Sequence, residues 1–342
     1  MSRFTLYVPK VTAGYEKKVS PENQKLVQEF VMYCRSTDKA PQTISQYENW
    51  LKIFFCWNAD NNGNAFFPAI KKREFVNYFG YLEEHEYSPN RICALRAVLS
   101  SLSSEIELLD EDKYPEFHNQ IRGLETIHKN PVRQKTVISE DQLRHILSSL
   151  VDAKDYQIAC YVALLCSSGC RKAEAIQMKA SFFTEKNEVF GGFMYKTPIV
   201  RAKGRGKAGK RISKYVIKDI FKPYFDLWMN ERARLGVVTD ALFVHETGKK
   251  RKVYEPASIN TVNYFASVVG QRFNMDFYAH CLRHYFATYL KGKDLPDDVV
   301  TEIFSWASTD MVKVYDDTPK EQKLSRYFGP EGIKGPDDGQ KE

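Results

Sequence analysis

No apolar run in this chain reaches the length of a membrane span, and its N-terminus lacks the apolar core of a signal peptide. The cysteines Cys34, Cys56, Cys93, Cys160, Cys166, Cys170 and Cys281 are odd in number and never fall in C-x-x-C spacing. Most sit in apolar contexts and read as buried thiols of a reducing cytosol, so a soluble, cytoplasmic protein is expected. No G-x-x-x-x-G-K-[ST] loop is present, which argues against chemistry driven by a nucleoside triphosphate. No carboxylate cluster with magnesium spacing is present either. The formal charge of +7 is a modest excess that suits a nucleic-acid partner without establishing one. What remains is a chain of 342 residues, 43% hydrophobic and 13% aromatic, long enough for two domains with a core each.

Residues 1–20 form a short extension with scattered basic residues, read as a poorly ordered terminus or an arm on a partner. Ser20 with Pro21 has the form of a helix cap, and Leu26, Phe30, Val31 and Cys34 then repeat on one face. Further helices are expected from Pro41, over Lys72 to Glu86, and from Ser88 through Leu102, which makes residues 21–112 a compact helical domain. The Asn58–Gly63 stretch resembles the start of a calcium loop, but Ala69 stands where the bidentate glutamate belongs, so it reads as a polar turn. Residues 113–137 lose apolar periodicity and end on a basic run to Lys135, which reads equally as a linker over a DNA backbone or a solvated one.

A second domain, residues 138–318, opens on the cap Ser139. Ile158 to Cys166 is almost wholly apolar and should be a central helix ending on a left-handed Gly169, with Arg171 opening the next helix and Glu174 one turn on. The period then changes. Phe182-Phe183, Val189-Phe190, Ile199-Val200, Ile212 and Tyr215–Ile217 read as short strands, with a turn from Arg201 to Arg211 that is dense in positive charge. Helices return after Phe221, broken by a basic turn over 249–252, and continue through 258–273, His280–Leu290 and Val299–Phe304.

Ser168-Gly169-Cys170-Arg171 with Glu174, Lys203-Gly204, His280-x-Leu282-Arg283-His284, Trp306, and Tyr315 nine residues after it form an ordered set. In this set the chain resembles the tyrosine recombinases of the phage integrase family, in a two-domain form like Xer and Cre, over about residues 21–318. The resemblance implies a mainly α fold with a small antiparallel sheet: a helical, SAM-like core-binding domain and an α+β catalytic domain. It implies a site-specific recombinase acting on double-stranded DNA with paired half-sites, breaking and rejoining strands by transesterification in integration, excision, inversion or resolution. Arg171 and Arg283 would clamp the phosphate, since guanidinium is permanently charged and forks onto phosphate oxygens. Tyr315 would attack to leave a 3′-phosphotyrosine, His280 would take its proton or bind the phosphate, and Glu174 would support the clamp. Lys203 would protonate the leaving oxygen, with Lys207 as a competitor because the turn is long and basic. Trp306 stands where many members carry histidine, so it would donate its indole N–H and buttress Tyr315. Lys135, Arg201, Arg205, Lys207, Lys210 and Arg211 would touch DNA. No cofactor is implied, because the phosphodiester energy is kept in the tyrosyl link.

Each residue has a plainer reading. A lone arginine at a helix start is commonly a surface residue, Tyr315 after Val312 and Val314 fits a core position, and His280 with His284 has metal-pair spacing. No metal is expected, since Arg283 between the two histidines would repel a cation. Residues 319–342 read as an amphipathic helix and a Gly/Pro/Asp-rich tail. By resemblance, Leu324, Tyr327 and Phe328 would dock on a neighbouring protomer and build a cyclic tetramer. The alternatives are a catalytically silent DNA-binding protein on the same fold and a type IB topoisomerase.

Overall fold

The computed structural model describes residues 12–125, 136–204, 206–248, 252–325, 328–329 and 332–333. Its residues group into two compact units, Met1–Gln134 with Gly204–Gly209, and Lys135–Lys203 with Lys210–Glu342.

The first unit is helical. α1 (Tyr15–Lys18) leads into α2 (Pro21–Ser36), where the Ser20 side chain accepts from the Asn23 amide and Pro21 occupies the first turn. α3 (Pro41–Asn61), α4 (Lys72–Glu84) and α5 (Pro89–Leu109) follow, the last capped by Ser88 in the same way. Phe54 sits at the centre of an aromatic core, with its ring centroid 5.0 Å from Tyr78 and 5.3 to 5.9 Å from Phe55, Phe75 and Phe67. Fully burying each such ring contributes about 1.5–3 kcal/mol.

The boundaries of this unit differ from the expected ones at both ends. Tyr15 and Val19 are buried in its core, and Lys18 pairs with Asp60 at 2.8 Å, so the second half of the extension is part of the domain. Phe117 and Ile121 are buried in the same core, which moves its far edge past residue 112. The supposed turn at Asn58 is the last turn of α3, because Asn58 is fully buried and its amide donates to the Ala65 carbonyl at 2.8 Å. Arg3, Lys10 and the basic run ending at Lys135 lie outside the described residues.

The second unit is organised around one helix. α6 (Glu140–Asp152) is closed by a reciprocal Ser139–Gln142 capping box. Every residue of α7 (Tyr156–Ser168) from Ile158 onward is buried. α8 (Lys172–Ala175) follows, and then β1 (Glu188–Val189), β2 (Met194–Lys196), β3 (Val200–Ala202), β4 (Lys210–Ile212) and β5 (Tyr215–Ile217). The sheet order is β1-β2-β5, antiparallel throughout, with β3–β4 as a separate hairpin in which Arg201 faces Arg211 and Ala202 faces Lys210. Phe182-Phe183 is not a strand: Ala180–Phe182 is a 3₁₀ turn. Phe190 ends β1 with a positive φ of 55°.

α9 (Lys218–Leu235) packs on α7 and ends on a left-handed Gly236. A hairpin that the sequence pattern did not announce comes next, β6 (Val244–Thr247) against β7 (Val253–Pro256), with residues 249–251 outside the described residues. α10 (Ile259–Arg272), α11 (Ala279–Gly292), α12 (Asp297–Phe304), α13 (Asp310–Tyr315) and α14 (Lys320–Ser325) complete the helices. The tail helix is shorter than expected: residues 328–329 form β8, paired with β9 at 332–333, and Tyr327 lies outside the described residues. No helix among the described residues is long and apolar enough to cross a membrane.

Candidate active site

The left-handed end of α7 starts the site. Gly169 has φ 58° and closes the helix by donating its amide to the Leu165 carbonyl at 2.9 Å. A Cβ here would run into the Phe304 ring and come within 2.9 Å of Phe286, so glycine is required by both backbone and space. The turn leaves Arg171 extended, at φ −78° and ψ 155°, as the cap of α8. Glu174 reaches back with both oxygens: one accepts from the Arg171 amide at 2.9 Å and the other from its guanidinium at 2.9 Å. Glu174 is buried, whereas the Arg171 side chain keeps 31% of its surface exposed.

Arg283, on α11, is fully buried and donates from Nη1 to the Gly169 carbonyl. Its Nε and Nη2 have no hydrogen-bond partner among the described residues. Three rings surround the guanidinium, with their centroids 4.6 Å away for Phe304, 5.4 Å for Trp306 and 5.5 Å for Tyr315. Burial first, and then the charge of Arg171, bring its pKa down to about 10, which still leaves it cationic at neutral pH. Two buried donors without acceptors on a charged group are costly unless a ligand supplies the acceptors.

Trp306 follows the left-handed Ser305 that ends α12. Its ring stacks on Phe304 at 4.2 Å and on Tyr315 at 5.0 Å, and its buried indole N–H has no partner among the described residues. Tyr315 closes α13, buried except for a small fraction, with its hydroxyl 2.8 Å from His280 Nε2. Desolvation of the ring against Tyr315, and then the charges of Arg283, His284 and Arg171, push the His280 pKa down to about 4 although the residue as a whole is exposed, so its imidazole is neutral at physiological pH. With its proton on Nδ1, Nε2 accepts from the Tyr315 hydroxyl. His284 turns instead to Asp317, with Nδ1 3.1 Å from Oδ2, and the Thr288 hydroxyl accepts from the Asp317 amide at 2.9 Å. The two histidines therefore face different partners.

The structure brings Arg171, Glu174, His280, Arg283, Trp306 and Tyr315 together through shared partners. Lys203 stands just past β3 and is exposed. That strand is anchored near α8, where Gln177 accepts from the Arg201 amide at 2.9 Å and donates to its carbonyl at 2.8 Å. Lys207 falls in the turn that groups with the first unit, and Arg205 lies outside the described residues. Arg201 and Arg211 are exposed on the paired strands. Lys210 is exposed too, and its ammonium donates to the Ser305 carbonyl at 2.9 Å, bracing the turn before Trp306.

Sequence reasoning missed three contributors. One is the Gly169 carbonyl and another is Asp317. The third is Lys214, which has a fully buried ammonium with no hydrogen-bond partner among the described residues. A signal for Lys214 existed: Ile212, Lys214 and Val216 alternate inward, and a lysine on that face is anomalous.

The family model for the phage integrase family matches residues 136–322, more than half of the chain and the whole of the site. The chain belongs to the phage integrase family. Among curated relatives it is 28% identical over 287 residues to an SPbeta prophage-derived recombinase-like protein, YomM, of Bacillus subtilis, covering 81% of this chain and 82% of that one. It is 23% identical over 303 residues to the tyrosine recombinase XerA of Thermococcus kodakarensis, covering 86% and 91%. Among solved structures the fold is similar to the Tn1549 transposon integrase in complex with circular intermediate DNA, with a TM-score of 0.63 and 14% identity over 88% of this chain and 98% of that one. It is also similar to XerH bound to difH in a post-cleavage complex, with a TM-score of 0.58 and 18% identity over 94% of each chain. The likeness in fold thus extends over both units, while the family model covers the second unit from residue 136 to 322 and, within that span, residues 204–209 of the first.

Proposed function

We propose that this integrase-family protein recombines DNA at specific sites by attack of Tyr315 on a backbone phosphate. The supporting observation is the 2.8 Å contact between Tyr315 and a neutral His280, beside a buried Arg283 whose donors await an acceptor. Oη–P forms while P–O5′ breaks, leaving a 3′-phosphotyrosine and a free 5′-hydroxyl. The phenolic proton passes to His280 Nε2, and Lys203 supplies the proton that O5′ needs. Arg171 and Arg283 bind the non-bridging oxygens, the Trp306 N–H adds a donor, and Glu174 aligns Arg171. The free 5′-hydroxyl of a partner strand reverses the step, so no cofactor enters the balance.

The first unit would also bind the duplex, and Lys135, Arg201, Arg205, Lys207, Lys210 and Arg211 would lie on phosphates along it. Leu324, 45% exposed on α14, is the docking candidate for a neighbouring protomer in a tetramer on paired half-sites. Deleting residues 319–342 should then weaken cooperative half-site binding, and unchanged cooperativity would remove that role.

Nicked suicide DNA tests the chemistry. Denaturing electrophoresis should show a covalent adduct with the native protein and none with Tyr315→Phe. An adduct that persists in that variant would overturn the assignment.

A further inference from the structure

Lys214 lies between β4 and β5, its backbone locked by Thr197: the Thr197 amide donates to the Lys214 carbonyl at 2.9 Å, and the Lys214 amide donates to the Thr197 hydroxyl at 2.9 Å. That grip fixes the side chain on the buried face. Its ammonium is 5.7 Å from the centroid of Phe304, the ring that also flanks Arg283. The ionisable groups acting on it are Glu174, Arg283, Cys170 and Arg171. Lys203, exposed beyond β3, is a separate group.

Charge distribution gives this placement a meaning. Glu174 is the carboxylate of the group, and both its oxygens serve Arg171. Attack puts a second negative charge on the phosphorane oxygens, while the phenolic proton moves to His280 on the nucleophile's side. The total charge of the site is unchanged, but its negative part is concentrated on the phosphorane. Lys214 adds positive charge next to Arg283, behind the shared Phe304 ring, which favours that concentration where binding accelerates a reaction.

We propose that Lys214 is a positioning residue of the cleavage site, a third cation, buried like Arg283, that steadies Glu174 when Arg171 turns to the DNA phosphate and favours the negative charge that attack concentrates on the phosphorane. The proposal rests on the assignment of Tyr315 as nucleophile. Burial brings the Lys214 pKa down to about 8, so its charge is present below that pH and fades above it.

The test uses the full-length protein and two nicked substrates, one with an ordinary phosphodiester and one with a neutral methylphosphonate at the cleaved position. Lys214→Met should slow adduct formation about 30- to 100-fold on the diester and less than about threefold on the methylphosphonate, with Lys214→Arg restoring the diester rate to within about fivefold. Equal losses on both substrates, or none on the diester, overturn the proposal. Should Lys214→Met fail to fold, Lys214→Arg decides alone. Its rate on the diester, relative to the methylphosphonate, should hold above pH 8 where the native protein's declines, and superimposable profiles overturn the idea. A native protein that forms no adduct on the diester would instead sink the Tyr315 assignment, and this proposal with it.

Discussion

The buried asparagines of the first unit and the buried cations of the second are handled in opposite ways. Each of those asparagines both donates and accepts. Asn23 donates to the Ala65 carbonyl and accepts from the Phe67 amide, both at 3.0 Å. Asn119 donates to the Ser100 carbonyl and the Ser104 hydroxyl at 3.0 Å and accepts from the amides of Ile121 and Arg122. In the second unit Arg283 Nε and Nη2, Lys214 Nζ and the Trp306 indole N–H are buried around the Phe304 ring and have no acceptor among the described residues. A satisfied buried group specifies a fold, whereas a cluster of unsatisfied cations stores affinity for an anion. The asparagines close their own hydrogen bonds, whereas the cations leave donors for an acceptor from outside the described residues.

The largest expected break in that contrast comes from Arg283→Met. If the cation is kept for a ligand, its loss should slow adduct formation about a thousandfold or more while leaving the melting temperature unchanged or raised, because an uncompensated buried charge has gone. A melting temperature that falls in step with activity would make Arg283 a structural residue like Asn119. Gly169→Ala comes next. The strained φ and the clash with Phe304 and Phe286 should together cost about 2–4 kcal/mol. They should also displace the carbonyl that holds Arg283, so chemical denaturation and cleavage should both respond. A variant of native stability would mean that the chain end of α7 adjusts freely. Asn119→Ala should be smaller and one-sided, losing about 1–3 kcal/mol of stability in urea unfolding with the cleavage rate intact below the transition. A slowed cleavage step there would erase the distinction between the units.

Much of this could be read from the chain because local rules and chemistry agreed. Ser20, Ser88 and Ser139 cap helices whose apolar faces follow at once, and Arg171, His280, Arg283 and Tyr315, singled out by their chemistry, come together in the folded chain. What escaped did so for physical reasons. Met194–Lys196 and Val244–Thr247 are strands too short to show alternation above their neighbours. Tyr15 looked like part of a tail because its burial depends on α3, a contact that no local pattern encodes. Lys214 was hidden by the basic hairpin before it, where one more lysine drew no notice. Asp317 reaches His284 through a turn pinned by Thr288, and that proximity exists only after folding.

The smallest effect is a missing one, in the pH profile. An ordinary imidazole at position 280 would protonate near pH 6.5 and lose its capacity to take the Tyr315 proton. Desolvation of the ring and the neighbouring cations hold His280 down to about 4 instead. Single-turnover adduct formation should therefore stay level from about pH 7 to pH 5 before it declines. Stability moves the other way over part of that range. The folded pKa lies below the unfolded one, so the contribution of His280 is complete above about pH 6.5 and is lost as pH falls toward 4. The two measurements separate chemistry from folding at one residue: melting temperature should begin to drop in a window where the cleavage rate has not. A rate that breaks near pH 6.5 would place a proton on His280 in the working site and remove it as the base.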